Sequence, residues 1–156
     1  MKTRLAVGLL CVLVSPGEPS SAPAPALAPY AIVPHNGMPT IPAPLTGKAG
    51  DPKAGERVVI EQRLGNCLSC HEIGALRKEP FHGEIGPPLD GVAGRWDAAT
   101  LRMIVVNPKK VFGDATVMPA FYRIDGLNRV RPEFAGSPIL TAQQVEDVVA
   151  YLATMK

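Results

Sequence analysis

The feature that most limits what this chain can fold into is the pentapeptide CLSCH at residues 67–71. It holds two of the three cysteines of the 156-residue chain, and the third is Cys11. Two thiols separated by two residues and followed by an imidazole can bind a metal ion, form a redox-active dithiol or attach a larger group covalently. The choice among these decides whether the core is made of protein alone or is built around a second component.

The first 26 residues have the layout of a secretory signal peptide. A basic start at residues 1–4 is followed by an apolar run at residues 5–14 and a tail of prolines and small residues. A transmembrane helix needs roughly 20 apolar residues, and this run is too short. We therefore predict a signal peptide over residues 1–26, cleaved after Ala26, and a mature protein that lacks Cys11 and does not insert into a membrane.

A proline-rich segment follows at residues 27–50. Its prolines are Pro29, Pro34, Pro39, Pro42 and Pro44. Proline at this density interrupts both helices and sheet ladders, so the sequence predicts an extended arm. The apolar residues between the prolines favour an arm that lies against a surface, either of its own domain or of a partner. The folded domain is expected to cover residues 51–156.

Helical signals recur through this domain. One helix is expected to begin at Asp51-Pro52 and to end near Gly65, and a second is expected over residues 97–107. A third begins with a capping box formed by Thr141 and Gln144, and its valines recur at helical spacing. No stretch shows sustained alternation of apolar and polar residues. The sequence predicts an all-α fold of about three to five short helices joined by long loops.

The length of those loops points to a prosthetic group. Residues 72–95 and 108–140 are rich in glycine and proline, and so few helices bury too little apolar surface to offset the entropy of ordering them. A large apolar group at the centre would supply the missing surface. C-x-x-C-H is the signature of covalent haem attachment. Cys67 and Cys70 are therefore predicted to bind one haem c, with His71 as an axial ligand of its iron. A zinc site would need a further ligand, and a redox dithiol would need a βαβ context.

The second axial ligand has to come from elsewhere in the chain. In a low-spin electron carrier it is usually Met or His, and the downstream candidates are His82, Met103, Met118 and Met155. Met103 lies within a predicted helix, Met155 is next to the C-terminus, and His82 is so close to His71 that we interpret it as a solvated loop histidine. Met118 lies in an irregular loop before a proline and is the predicted ligand.

The segment GPPLDGVAGR at residues 86–95 resembles the GPxLxGxxGR segment of class I cytochromes c. The resemblance implies a class I cytochrome c-like fold. It also implies that the carbonyl of Pro87 accepts a hydrogen bond from the haem histidine and that Arg95 contacts a haem propionate. Trp96, directly after this segment, could cover the haem edge, donate its indole N–H to a propionate or fill the core.

Three longer segments resemble one family within this class. NCLSCHEI, EPFHGEIGPPLDGVAGRW and VMPAFYRIDGLNRVRPEFAGSPILTAQQVEDVVAYL are similar to the SoxX family, the small monohaem subunits of the SoxAX complexes of bacterial sulfur oxidation. The similarity extends from Asn66 to Leu152, and the part after Met118 is the most specific to this family.

Membership of this family implies a periplasmic electron-transfer subunit in a heterodimer with a SoxA-like haem subunit. The complex would act as a haem-dependent L-cysteine S-thiosulfotransferase that joins thiosulfate to a cysteine of a SoxY carrier. The small subunit would accept the released electrons and would not be catalytic alone. A SoxY-type carrier complex and a small c-type cytochrome acceptor would be its transient partners.

Two other functions stay open from the sequence alone: a free-standing periplasmic shuttle cytochrome c and a haem-based ligand sensor. A sensor would need an open or displaceable sixth position, which carbon monoxide binding would reveal. Nucleic acid is not an expected partner, because the net charge is only +2, the basic residues are scattered and aromatic residues are few.

Overall fold

The computed structural model describes residues 27–156, so the predicted signal peptide lies outside the described residues. These residues form five α-helices, a two-stranded hairpin and three short 3₁₀ turns. The helices are α1 (Pro52–Ile60), α2 (Val92–Arg95), α3 (Ala98–Val106), α4 (Lys109–Phe112) and α5 (Ala142–Leu152), and the strands are β1 (Val33–His35) and β2 (Met38–Thr40). Within residues 27–156, no helix is long and apolar enough to cross a membrane.

The ends of the three main helices follow from their capping residues. Asp51 and Asp97 accept hydrogen bonds from the first turns of α1 and α3, and the Thr141–Gln144 capping box at α5 is present. The predicted starts of these helices are therefore confirmed. The predicted end of the first helix is wrong, because α1 ends at Ile60 and the chain reaches Gly65 through turns.

Helix α1 packs closely on α5, and α3 contacts both α5 and β2. A side chain at Gly55 would collide with the backbone of Asp147, so glycine allows the backbones of α1 and α5 to approach each other. Every residue from Thr100 to Val106 of α3 is buried, and Met103 has no exposed surface. Helix α3 is thus the central element of the domain, and Met103 belongs to its core.

The proline-rich segment contains a hairpin that the sequence analysis did not predict. Asn36 and Gly37 both have positive φ, at 49° and 77°, which suits the two-residue turn that joins β1 to β2. Pro34 lies opposite Pro39, next to the pair that flanks the turn. Residues at such positions point their N–H groups away from the partner strand, so proline removes no ladder hydrogen bond there.

The end of this segment is fixed to the helices through a buried ion pair. Arg102 of α3 donates to both carboxylate oxygens of Glu146 of α5 at 2.8–3.0 Å, and the two side chains are 6% and 2% exposed. The same pair binds the arm, because Arg102 Nη1 donates to the carbonyl of Ile41 at 2.7 Å and Leu45 N–H donates to Glu146 Oε1 at 2.9 Å. Ile41 and Leu45 are themselves buried. This part of the arm therefore lies on its own domain.

We predict that Glu146→Gln lowers the free energy of unfolding of the haem-loaded protein by about 3–5 kcal/mol, because it leaves the Arg102 guanidinium buried without its counter-charge. Denaturant unfolding monitored by circular dichroism measures the change. Asp125→Asn is the matched control, since Asp125 is 84% exposed in its pair with Arg123. The control should stay within about 0.5 kcal/mol of the native protein. Equal effects of the two substitutions would contradict the assigned role of the buried pair.

Candidate haem-binding site

A cavity of about 620 Å³ opens between α3, α5 and the loops that the sequence analysis singled out. All seven predicted site residues line it: Cys67, Cys70, His71, Pro87, Arg95, Trp96 and Met118. Helix α3 contributes Leu101, Ile104 and Val105, and α5 contributes Val148 and Leu152. The structure thus brings together residues separated by more than 50 positions in the sequence, on walls that are mainly apolar.

The CLSCH pentapeptide forms a tight turn at one wall of the cavity. Asn66 adopts a left-handed conformation (φ 46°) and starts a 3₁₀ turn, after which the N–H groups of Cys70 and His71 both donate to the carbonyl of Cys67. Cys67 and Cys70 are free thiols, not joined by a disulfide. This turn presents two thiols and one imidazole to the same cavity.

The environment of Cys67 argues against the two other interpretations of the motif. Burial raises the pKa of the Cys67 thiol to about 12, whereas metal binding and disulfide exchange both use the thiolate. No group of three or more His, Cys, Asp or Glu side chains within residues 27–156 could hold a metal ion. Cys67 and Cys70 instead line a mainly apolar cavity, which suits the vinyl groups of a haem.

The imidazole of His71 is oriented by a backbone carbonyl. Its Nδ1 lies 2.6 Å from the oxygen of Pro87. Because a carbonyl can only accept, Nδ1 must carry the proton, and in the neutral ring Nε2 then keeps its lone pair for a metal. This is the contact that the resemblance to class I cytochromes c implies for Pro87.

The loop that carries Pro87 is fixed over the cysteine turn. The N–H groups of Gly83, Gly86 and Leu89 donate at 2.7–2.9 Å to alternate carbonyls of residues 68–72. Position 86 also requires glycine, because a Cβ there would collide with the ring of His71. Loop and turn therefore form one rigid wall behind the imidazole.

His82 has a different role from the one predicted. It is partly buried, its Nε2 lies 3.0 Å from the carbonyl of Leu76, and its Nδ1 is 3.5 Å from the N–H of Ile73. The interpretation as a solvated loop histidine is therefore wrong. His82 is not among the cavity-lining residues, and its ring instead holds together the chain just after the cysteine turn.

Arg95 lines the cavity and also binds the loop that carries Pro87. Its guanidinium donates to the carbonyls of Pro88 and Asp90, each at 2.8 Å, and the carboxylate of Asp90 accepts from Gly74 N–H at 2.9 Å. Two of the five donors of the guanidinium are used in this way. Contact of Arg95 with a haem propionate stays a prediction, and the loop contacts were not foreseen from the sequence.

Trp96 and Met118 lie on other parts of the wall. The ring of Trp96 meets Phe112 of α4 edge-on at 6.5 Å, and it packs against the core as well as lining the cavity. Met118 is in the loop after α4, where the Nζ of Lys109 donates to the carbonyl of Thr116 at 2.6 Å. That contact fixes the start of the Met118 loop.

The rim of the cavity carries large apolar side chains that face water. They are Ile85, Phe112, Val117 and Ile139, with exposures of 70%, 48%, 76% and 49%. Four such side chains around one opening suit an apolar group that fills the cavity and extends to its mouth. These rim residues were not predicted from the sequence. For two of them the signal was adjacency to a singled-out residue, because Ile85 precedes Gly86 and Val117 precedes Met118.

Comparison with known proteins agrees with this site. The family model described as cytochrome c matches residues 52–156. The chain therefore belongs to the cytochrome c family, and its cofactor is covalent haem c. When bound, this group supplies an iron that takes up and releases one electron. The all-α, class I cytochrome c-like fold predicted from the sequence is confirmed.

Within that family the chain is of the SoxX type. It is 50% identical to a chain in the crystal structure of SoxXA from P. pantotrophus, over 75% of this chain and 90% of that chain, with a TM-score of 0.71. The c-type cytochrome SorU from Sinorhizobium meliloti is 25% identical over 67% of this chain and 88% of that chain, with a TM-score of 0.42. No curated protein matches the chain.

We predict that Gly86→Ala displaces the ring of His71 and destabilises the haem-loaded protein by about 1–3 kcal/mol, the usual cost of overpacking. The ferric absorption spectrum, recorded for its low-spin character, and denaturant unfolding measure the two effects. Gly94→Ala is the matched control, because a Cβ there meets nothing within 4 Å. A native spectrum and native stability for Gly86→Ala would contradict the close contact.

Proposed function

We propose that this protein is the electron-transfer subunit of a periplasmic, haem-dependent L-cysteine S-thiosulfotransferase of the SoxAX kind. It accepts the electrons released when thiosulfate is joined to a cysteine of a SoxY-type carrier, and it passes them to a small c-type cytochrome. The observation that carries the proposal is the 50% identity to a chain of SoxXA over 90% of that chain. The site itself supports the electron-transfer part.

In this proposal Cys67 and Cys70 bind the haem, and His71 and Met118 are the axial ligands. With Met118 in the sixth position, the iron has no open site for a substrate. Met ligation also raises the reduction potential relative to His ligation, which suits an electron acceptor. The chain then moves electrons and leaves the sulfur chemistry to its partner.

The residues of the cavity prepare the site for that task. The Pro87 carbonyl fixes the ring and the tautomer of His71, and a hydrogen bond to an axial histidine tunes the iron. The apolar walls limit access of water, which also affects the potential. Because the Pro87 loop is hydrogen-bonded to the cysteine turn, the orientation of the His71 ring is set before an electron arrives.

Residues 1–26 are the proposed signal peptide, which directs the protein to the periplasm and is cleaved after Ala26. This cut would leave Leu27 and Ala28 in the mature chain, and both pack against the core. Cleavage two residues later would remove them. Residues 51–156 are the proposed cytochrome domain.

A SoxA-like haem subunit is the proposed stable partner, and one apolar surface fits it. The exposed side chains are Tyr30, Ile32 and Val33 on the arm and Ile124, Leu127, Val130 and Phe134 after Met118. The first group lies close to the start of the second segment, because the ring of Tyr30 is 6.4 Å from the ring of buried Tyr122. Ile139, five residues after Phe134, lies at the rim of the cavity.

The function is tested by purifying the tagged protein from its host grown on thiosulfate. We predict that a larger haem-staining chain co-elutes in equal amount and that Ile32→Asp with Val33→Asp reduces its recovery severalfold. These two residues are exposed, whereas deletion of the whole arm would also remove buried Ile41 and Leu45. Phe81→Asp is the control, since Phe81 is 76% exposed and lies outside this surface. A lone haem-bearing chain would favour the free-standing shuttle.

Carbon monoxide tests the sixth ligand. We predict that the reduced native protein does not bind carbon monoxide at neutral pH and that Met118→Ala does, because the substitution opens the sixth position. The native ferric protein should show the charge-transfer band of a methionine–iron bond, and the variant should lose it. Met103→Leu is the control, since Met103 is fully buried in the core. Carbon monoxide binding by the native protein would instead favour a ligand sensor.

A further inference from the structure

We infer that residues 27–45 act as a strap that holds the Met118 loop in its ligating position, with the Tyr122 hydroxyl as the point of attachment. This inference rests on the proposed role of Met118 as an axial ligand. It gives the arm a task within the subunit itself, separate from any contact with a partner.

The chain after Met118 is held by α3. Phe121 N–H donates to the carbonyl of Val105 at 3.2 Å, and Tyr122 N–H donates to the carbonyl of Val106 at 3.3 Å. These carbonyls lie in the last turn of the helix and have no partner within it. The position of Met118 therefore depends on how firmly the residues three and four places later stay on the end of α3.

The side chain of Tyr122 is held by the arm. Its hydroxyl accepts from Ala28 N–H at 2.7 Å, and Tyr122 is only 3% exposed. The ring of Tyr30 lies beside it at 6.4 Å. Tyr122 is thus fixed through its backbone by α3 and through its hydroxyl by Ala28, which lies 94 positions earlier in the chain.

The other end of the arm is fixed as well. Ile41 N–H donates to the carbonyl of Ala99 at 3.1 Å, and Arg102 and Glu146 bind the backbone of Ile41 and Leu45. The arm consequently runs from the interface of α3 and α5 to Tyr122 and is attached at both ends. An arm attached at both ends limits the movement of Tyr122, to which it is hydrogen-bonded.

The mechanical consequence concerns the opening of the sixth position. For Met118 to leave the iron, its loop has to lift from the wall of the cavity, and the Phe121–Tyr122 contacts with α3 oppose that movement. The bond from Ala28 adds to the opposition because lifting Tyr122 would break it. Tyr122 is therefore a positioning residue for the ligand and touches neither iron nor substrate.

Three variants of the haem-loaded protein test the strap: Tyr122→Phe, a chain whose signal peptide is joined directly to Tyr30, and the combination of both. The readout is the rate at which cyanide replaces Met118 on the ferric iron, together with the pH at which the methionine–iron band disappears. A hydrogen bond is worth about 1 kcal/mol net, so Tyr122→Phe should speed replacement about fivefold. The shortened chain should show at least that effect, because it also loses the core contacts of Leu27 and Ala28. The band should also disappear at lower pH.

The combined variant should be no faster than the shortened chain, since the shortened chain already lacks the bond that Tyr122→Phe removes. Tyr151→Phe is the control: it removes a hydroxyl from a buried tyrosine of α5, next to Gly55, and should leave the rate unchanged. Native cyanide kinetics in Tyr122→Phe, or effects of the two changes that multiply, would overturn the inference.

The Met118→Ala variant separates this outcome from failure of the proposed ligand. If the native protein has the methionine–iron band and Met118→Ala lacks it, Met118 is the ligand, whatever the strap variants do. If the band is absent from the native protein or survives in Met118→Ala, the ligand assignment fails and the inference fails with it.

Discussion

Apolar contact between the cavity walls and the haem is the interaction on which the rest of this structure depends. Helices α3 and α5 supply part of the cavity wall, and loops that carry the cysteine turn, Pro87 and Met118 supply much of the rest. The rim residues Ile85 and Val117 are large apolar side chains that are 70% and 76% exposed. The prosthetic group is therefore part of the hydrophobic core, and loops of this length are tolerated because they pack against it.

Helix α3 connects the two sides of the molecule. One face lines the cavity through Leu101, Ile104 and Val105, while Arg102 on another face binds Glu146 and the arm. The carbonyls at its end support the chain that follows Met118. A helix buried on every side in this way couples the arm and the haem site through direct contacts, with no need for a change of fold.

Much of the site could be predicted from sequence because its chemistry is local. The spacing of CLSCH places both thiols and the imidazole within one turn, and the segment at residues 86–95 supplies the carbonyl that orients the ring. Met118 was chosen by elimination among three methionines and His82, and the structure places it in the cavity wall. Its ligation, like the other site roles, stays a prediction. The helix starts were readable from Asp51, Asp97 and the capping box.

What could not be predicted depends on contacts between distant segments. The hairpin was missed because proline density was weighed more heavily than the Asn36-Gly37 turn signal, and proline is tolerated where it faces away from the ladder. The extra contacts of Arg95 and the position of His82 depend on how two loops meet. Contacts between two loops leave no periodic pattern in the sequence, so they could not be predicted from it.

The Arg102–Glu146 pair has a consequence for the evolution of the family. Arg102 uses Nε and Nη2 for the carboxylate and Nη1 for the Ile41 carbonyl, and lysine cannot reproduce this fork. Either charge left alone at this depth costs about 3–5 kcal/mol, so substitutions that change both positions together are favoured. We expect the two positions to co-vary among relatives. Lineages that lost the arm should also have replaced the pair with apolar residues.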